Sequence, residues 1–245
     1  MARQYFGKHP QVDTIVEVSL HIMQRCGAQV VDLAAPLPDD DMGEHEVQVL
    51  LYEFKAGLNA YLASLGPNAQ VKSLEDIIAF NERHHERAMP YFGQERMLAA
   101  QLKGPLTDET YLKARQECLR LSRAEGIDKA LAEQKLDAIV ASTTSPAWLI
   151  DLVNGDHYGG SCTSPAAVAG YPHITVPAGF VFGLPVGLSF FASAWQEPML
   201  IKLAYAFEQA CQARQAPRFL PAVDVNVTRQ GAIRWATQFS SPASA

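Results

Sequence analysis

The sequence predicts an α/β protein in which helices pack over a central sheet. Apolar residues recur at helical spacing through most of residues 1–135, whereas residues 136–192 consist of apolar strands separated by glycine and proline. Helical spacing returns at residues 197–213. Because each kind of element must bury its apolar side, this order predicts a sheet flanked by helices.

The first helix is predicted between Pro10 and Gly27, since proline suits the first turn of a helix and glycine its end. The apolar run AQVVDLA, residues 28–34, is then predicted to be a short buried strand. Three consecutive carboxylates, Asp39 to Asp41, suit a loop or the start of a helix, where they face the positive end of its dipole.

A long helix is predicted for residues 44–65 and ends at Gly66 and Pro67. Ser73 and Asp76 form a capping pattern that opens the next helix, LEDIIAFNERHHERA. Further helices are predicted at residues 107–123, closed near Gly126, and at residues 127–134.

Strands are predicted at residues 137–141, 173–177 and 186–192. These runs are continuously apolar, which is typical of a sheet buried on both faces. After Pro221 the pattern is lost, so residues 222–245 are predicted to be an irregular tail.

Composition excludes several classes of protein. The 245 residues are 48% hydrophobic and 19% charged with a formal net charge of −6, which is ordinary for a globular domain and unlike a nucleic-acid binder. The first ten residues contain no apolar secretory segment, and no apolar run reaches the roughly 20 residues that span a bilayer. We therefore expect a cytoplasmic protein without a membrane segment.

Neither cysteine nor histidine spacing indicates a metal or a disulfide. The four cysteines, Cys26, Cys118, Cys162 and Cys211, are far apart and are predicted to be lone thiols, mostly buried. Adjacent residues on a helix point about 100° apart, so His84 and His85 cannot chelate one ion together. The sequence therefore predicts no metal site and no cofactor.

Six motifs occur in one order over about 85 residues: DAIVASTT, SPAAVAGYP, HITVPAG, GLPVGLSFF, KLAYAFEQ and PRFLP. In this order they resemble the C-terminal half of the amidase signature family, hydrolases that cleave carboxamide C–N bonds. ARQYFG near the start and Tyr52 to Lys55 extend the resemblance over nearly the whole chain as far as Pro221. One departure is Ser142, where the family usually has proline.

The resemblance implies an amidase-signature-like mixed sheet flanked by helices that is incomplete, with residues 1–221 as the C-terminal part of the domain. It also implies a Ser-Ser-Lys mechanism, in which a lysine and a second serine activate the nucleophilic serine. In the family the lysine and the Gly/Ser-rich loop precede the position where this chain begins. No catalytic residue is therefore assigned here.

Two interpretations of function follow. The chain would act on a small-molecule amide if an N-terminal half is supplied, or it is an inactive fragment that serves as an association module. Self-association is expected in either case, because strands that pair elsewhere in the complete fold would leave apolar edges uncovered. A third interpretation, an independent hydrolase that uses Ser142 or Ser161, has weaker support.

Two groups of residues remain as site candidates. Gly159, Gly160 and Ser161 spell a short Gly-Gly-Ser, but a loop that caps a helix at Ser164 and Pro165 explains them better. Asp151 and Asn154 lie in a polar loop between a strand and a helix, where ligands of α/β folds bind. They form either a wall of the substrate pocket or a hydrogen-bonded surface loop, and the sequence leaves both open.

Overall fold

A computed structural model describes residues 1–217 and 219. Its regular elements are a 3₁₀ turn (Arg3–Tyr5), α1 (Pro10–Arg25), α2 (Asp39–Ser64), α3 (Leu74–Arg83), α4 (His85–Ala88), α5 (Glu95–Gln101), α6 (Glu109–Leu119), a π-helical segment (Arg120–Ile127), α7 (Asp128–Gln134), β1 (Ile139–Ser142), α8 (Ser164–Ala169), β2 (His173–Val181), β3 (Leu184–Phe191) and α9 (Glu197–Cys211). The predicted tail, residues 222–245, lies outside the described residues.

Backbone contacts divide the chain into two compact units. One contains residues 1–37 and the described residues from 122 onward, and the other contains residues 38–121. The first unit holds the described sheet, and the second is helical.

The sheet of the first unit has the strand order β1-β3-β2, and both pairings are antiparallel. β3 therefore lies in the centre, with Ser189 opposite Ala141 of β1 and Thr175 of β2. β1 and β2 each have one strand neighbour among the described residues. The predicted α/β class is confirmed.

A two-residue turn joins β2 to β3. Phe182 and Gly183 both have positive φ, 50° and 76°, which is the backbone of a type I′ turn and matches the twist of the flanking strands. The turn predicted at Gly183 is thus confirmed, while Leu184 and Pro185 begin β3.

The core of the first unit lies between the sheet and its helices. Phe190 of β3 contacts Phe207 of α9 with ring centroids 6.0 Å apart, so α9 packs on the face of the sheet that carries Phe190. Val16 of α1 is fully buried in the same core. Gly170, with φ 67°, ends α8 and passes the chain to β2, as the Gly-Tyr-Pro motif predicts.

In the second unit, the segment Tyr52 to Lys55 of α2 holds the loop between α5 and α6. Lys55 Nζ donates to the carbonyl oxygens of Gln101 at 2.8 Å and of Lys103 at 2.6 Å. Tyr52 donates to Asp108 at 3.3 Å, and Tyr111 of α6 donates to Glu53 at 2.8 Å. The motif therefore connects three helices of this unit.

The predicted cap at Ser73 is confirmed, because Ser73 Oγ accepts from Asp76 N at 3.1 Å. The helix that it opens is shorter than predicted. It ends at Arg83, and His84, with φ −118° and ψ 26°, separates it from α4.

The strand predicted at residues 28–34 is wrong, since this segment has no regular secondary structure. Its only backbone pairing with a segment that could act as a neighbouring strand is with Met1: Met1 N donates to Val31 O, and Leu33 N donates to Met1 O. Its other backbone bonds, to Met23 O and to the side chain of Gln134, are isolated. A ladder needs successive pairs along a neighbouring strand. Val30 and Leu33 also pack against the core through apolar contact.

Candidate functional site

Thr143, the first residue after β1, bonds both to the sheet and to the far end of the loop that it begins. Thr143 N donates to Gly187 O of β3 at 2.9 Å, so the residue extends the sheet beyond β1. Its carbonyl oxygen accepts from Ser161 Oγ at 3.0 Å and from Cys162 N at 3.2 Å. An isolated antiparallel bridge between Thr144 and Ser161 closes the loop.

The hydrogen bonds of Ser161 indicate a structural role. Besides its bond to Thr143 O, its hydroxyl lies 2.8 Å from Thr163 Oγ1 and accepts from Thr163 N at 3.2 Å. These partners contain no base that could remove the serine proton. Ser142, the other serine considered, is 7% exposed in β1 and closed to a substrate.

The predicted cap at Ser164 is wrong by one residue. Thr163 occupies the N-cap of α8 without a side-chain capping bond, and Ser164 and Pro165 lie within the helix. Proline lacks an N–H and fits the first turn, as predicted, so proline rather than a serine cap marks this start.

Asp151 and Asn154, the predicted pocket residues, bond to each other. Asp151 Oδ1 accepts from the backbone N–H groups of Val153 and Asn154, each at 2.9 Å, and its Oδ2 accepts from Asn154 Nδ2 at 2.9 Å. These bonds, the backbone N–H of Asn154 first, lower the pKa of Asp151 below its ordinary value. The pair forms a closed turn, and its place in a pocket wall stays a prediction.

The same loop presents apolar side chains to solvent. Trp148 and Tyr158 meet edge to face with ring centroids 5.8 Å apart. Between them, four aliphatic side chains are 61–90% exposed: Leu149, Ile150, Leu152 and Val153. We call Trp148, these four residues and Tyr158 the apolar crest. So concentrated an exposed patch is typical of a surface that binds another molecule.

A chain of polar side chains crosses the three strands on the face opposite α9. His173 Nε2 lies 2.6 Å from Ser189 Oγ, which lies 2.8 Å from Thr143 Oγ1, which in turn lies 2.6 Å from Thr175 Oγ1. The sequence analysis missed this cluster. Its only sequence signal was the alternation of polar residues at positions 173 and 175, inside a strand assigned as apolar throughout.

His173 and Ser189 have the spacing of a base and a nucleophile, but Ser189 is 0% exposed, so no substrate reaches its oxygen. Burial also lowers the pKa of His173. In the described fold the pair is therefore part of an internal hydrogen-bond network.

Cysteine nucleophiles have no support in the described part of the chain. Cys118, Cys162 and Cys211 are buried, as predicted, and Cys26 is exposed. Burial raises the pKa of Cys211 to about 11 and also raises that of Cys118, which keeps both as unreactive thiols at neutral pH.

Within residues 1–217 and 219, no group of three or more His, Cys, Asp or Glu side chains could hold a metal ion. The ring of His84 contacts that of Phe80 in a tilted arrangement, with centroids 4.5 Å apart, and both His84 and His85 are exposed. The described helices include none long and apolar enough to cross a membrane.

Comparison with known proteins identifies the class. A family model described as Amidase matches residues 1–201, and the chain belongs to this family. It is 40% identical over 173 residues to a probable amidase of Arabidopsis thaliana, covering 70% of this chain and 30% of that protein.

Solved peptide amidases are similar in both sequence and structure. The peptide amidase from Stenotrophomonas maltophilia is 43% identical with a TM-score of 0.77, covering 89% of this chain and 42% of that one. A peptide amidase in complex with the competitive inhibitor chymostatin is 45% identical with a TM-score of 0.80, covering 86% and 43%. The chain thus spans about a third to two-fifths of the length of these relatives.

Proposed function

We propose that this chain is the C-terminal portion of an amidase that hydrolyses carboxamide C–N bonds to an acid and ammonia or an amine. The observation that carries the proposal is the match to about two-fifths of each peptide amidase chain at 43–45% identity. In this proposal a Ser-Ser-Lys set, situated in the part of the relatives that this chain does not span, performs the chemistry.

Peptide amides are the proposed substrates, because the peptide amidase structures give the highest identities quoted above. The apolar crest supports this choice, since a pocket for a peptide side chain needs apolar contact area beside a few polar groups. In this proposal Asp151 and Asn154 contribute to the pocket wall by forming the turn that fixes the crest. The proposal also includes a cytoplasmic location.

The contacts of Ser161 and the burial of Ser142 weigh against the interpretation of an independent hydrolase. The competing proposal is an association module without activity. The exposed crest fits it equally well, because such a surface also binds protein.

One experiment separates these proposals. The purified 245-residue chain is assayed for ammonia release from N-acetylphenylalaninamide, alone and after mixing with the N-terminal portion of the Stenotrophomonas maltophilia peptide amidase. Association of the two polypeptides is measured in parallel by sedimentation velocity. We expect no turnover by the chain alone and turnover by the mixture.

Each other outcome favours a different proposal. Association without turnover supports an association module. If the mixture shows no association and no turnover, the result contradicts both the amidase portion and the association module. Turnover by the chain alone that disappears in the Ser161→Ala variant would establish an independent hydrolase. A Thr163→Val variant serves as control for disturbance of the loop, because Thr163 contacts Ser161 without being a candidate nucleophile.

A further inference from the structure

The polar chain on the sheet connects a partly buried ring to an exposed hydroxyl. Ser189, in its centre, is fully buried, Thr143 is half-buried, and Thr175 is exposed. Gly187 makes the approach possible: a Cβ there would lie 2.6 Å from Thr175 Oγ1 and 2.7 Å from Thr143 Oγ1. The second glycine of GLPVGL therefore leaves the space in which the two threonine hydroxyls meet.

Counting donors fixes the direction of the bonds. Each hydroxyl has one proton to donate, and each of the three contacts needs one proton. We take the neutral tautomer of His173 that carries its proton on Nδ1, so that Nε2 is an acceptor. Ser189 must then donate to Nε2, Thr143 to Ser189 and Thr175 to Thr143. Every hydroxyl proton then points inward, and Thr175 offers solvent only its acceptor lone pairs.

Protonation of Nε2 reverses this order. His173 then donates to Ser189, whose proton must go to Thr143 because Ser189 is fully buried. The proton of Thr143 turns to Thr175, and the proton of Thr175 is free to point outward. The proton gained by Nε2 comes from solvent, one N–H bond forms, and every hydroxyl still carries one proton.

We propose that His173, Ser189, Thr143 and Thr175 form a relay in which protonation of His173 makes the hydroxyl of Thr175 a hydrogen-bond donor to an acceptor oxygen at the surface, such as that of an amide carbonyl or a carboxylate. The relay does not depend on the catalytic role proposed above, because all four residues belong to this chain.

The surroundings of His173 are compatible with this role. On β3, the ring of Phe191 stacks on the imidazole with centroids 5.5 Å apart, and burial lowers the pKa of His173, so it is neutral at pH 7. Two charged side chains of neighbouring elements, Asp128 and Arg123, contact Tyr171. Asp128 of α7 accepts from its hydroxyl at 2.7 Å, and the Arg123 guanidinium lies over its ring at 5.3 Å.

The test is an NMR titration of the His173 ring in the full chain and in variants. In Thr175→Val, the Thr143 proton loses its protein acceptor in the protonated state, so we expect the pKa of His173 to fall by about 0.7. In Thr143→Val, the buried Ser189 proton loses its acceptor, and we expect a fall of about 1.5. Thr175→Ser keeps a hydroxyl and should restore the value of the unmodified chain.

Thr163→Val, which removes an exposed hydroxyl outside the relay, is the control and should leave the titration unchanged. Thr175 is exposed, so its substitution should not disturb folding, and an unchanged amide spectrum verifies this. The same pKa for His173 in the unmodified chain, Thr175→Val and Thr143→Val would overturn the relay. A fall in Thr175→Ser equal to that in Thr175→Val would also overturn it, because loss of the hydroxyl would then not be the cause.

Discussion

Three hydrogen bonds converge on the carboxylate of Asp151, and they favour its charged form. Because its pKa is depressed in the folded chain, Asp151 stabilises the turn above its unfolded pKa, and this stabilisation is lost as the pH falls through the folded pKa. The apolar crest should therefore loosen only under acidic conditions.

We predict that Asn154→Ala raises the pKa of Asp151 toward its ordinary value, because the variant removes the bond from the Asn154 side chain to Asp151 Oδ2. Carboxyl ¹³C NMR titration measures the change. His157→Ala, an exposed substitution in the same loop, should leave the Asp151 titration unchanged. An unaltered titration in Asn154→Ala would show that the side-chain bond does not form in solution.

Gly187 is required by the side chains that meet above it. We predict that Gly187→Ala destabilises the chain by about 1–3 kcal/mol, because its Cβ would collide with two threonine hydroxyls that the sheet holds in place. Urea unfolding followed by circular dichroism measures this. Gly57→Ala is the matched control, since a Cβ at Gly57 in α2 meets nothing within 4 Å, and alanine favours a helix.

At the scale of single residues, the sequence predicts an interaction when both partners are close together in the chain. Ser73 and Asp76 formed the predicted cap because both partners lie within one turn of helix. The polar relay could not be predicted in the same way, because its members come from β2, from β3 and from Thr143, which directly follows β1. They meet only through the register of β1-β3-β2. Asp151 and Asn154 were recognised as a polar loop, but the sequence does not reveal that they bond to each other.

Among the elements, the loop between α5 and α6 depends on one side chain of α2. Lys55 satisfies carbonyl groups at the end of α5 that the helix leaves without partners. Tyr52 and Glu53 secure the start of α6 through Asp108 and Tyr111. A segment that resembles a family motif therefore has a structural role in the second unit.

We predict that Lys55→Met destabilises this loop by about 2 kcal/mol, because two bonds from an ammonium group are lost. Hydrogen exchange should accelerate at the amides of Lys103 and Asp108, whose backbone bonds close the loop. Lys113→Met, which removes only an exposed ion pair with Glu109, should leave these amides unchanged. Equal protection of both amides in Lys55→Met and in the unmodified chain would contradict the structural role.

The helices were easier to predict from the sequence than the strands, because a helix forms from local bonds and a strand needs a partner. α1, α7 and α9 were expected close to their observed bounds, since helical periodicity is a local property. Residues 28–34 have the composition of a strand, yet a strand forms only beside a partner, and Met1 supplies just one residue of pairing. Apolar strands likewise did not distinguish the observed antiparallel sheet from the expected mixed one.

For the whole molecule, the exposed surface of the first unit is the feature that decides its behaviour in solution. The apolar crest is exposed in one loop, and the outer edge of β2 has no strand neighbour among the described residues. The outer side of β1 is partly covered, because Ala2 N donates to Val140 O at 3.0 Å. Apolar patches and open edges of this kind pair with other molecules. In a solution of this chain alone, a second copy of the chain is the available partner.

We predict that the isolated chain self-associates and that the double variant Leu149→Glu/Val153→Glu shifts it toward the monomer. Both side chains are at least 87% exposed, so charge there should weaken an apolar contact while leaving the core intact. Sedimentation velocity over a range of concentrations measures the change. Leu102→Glu is the matched control, because Leu102 is 88% exposed but lies in the second unit, outside the crest.

A monomeric unmodified chain would show that the crest needs no protein partner, and it would favour the crest as a wall for substrate. Self-association that is unchanged in the double variant would place the contact at the strand edges instead. In that case, lysine at Thr175 of β2 would test that edge, because an added charge on an edge strand opposes pairing with another chain.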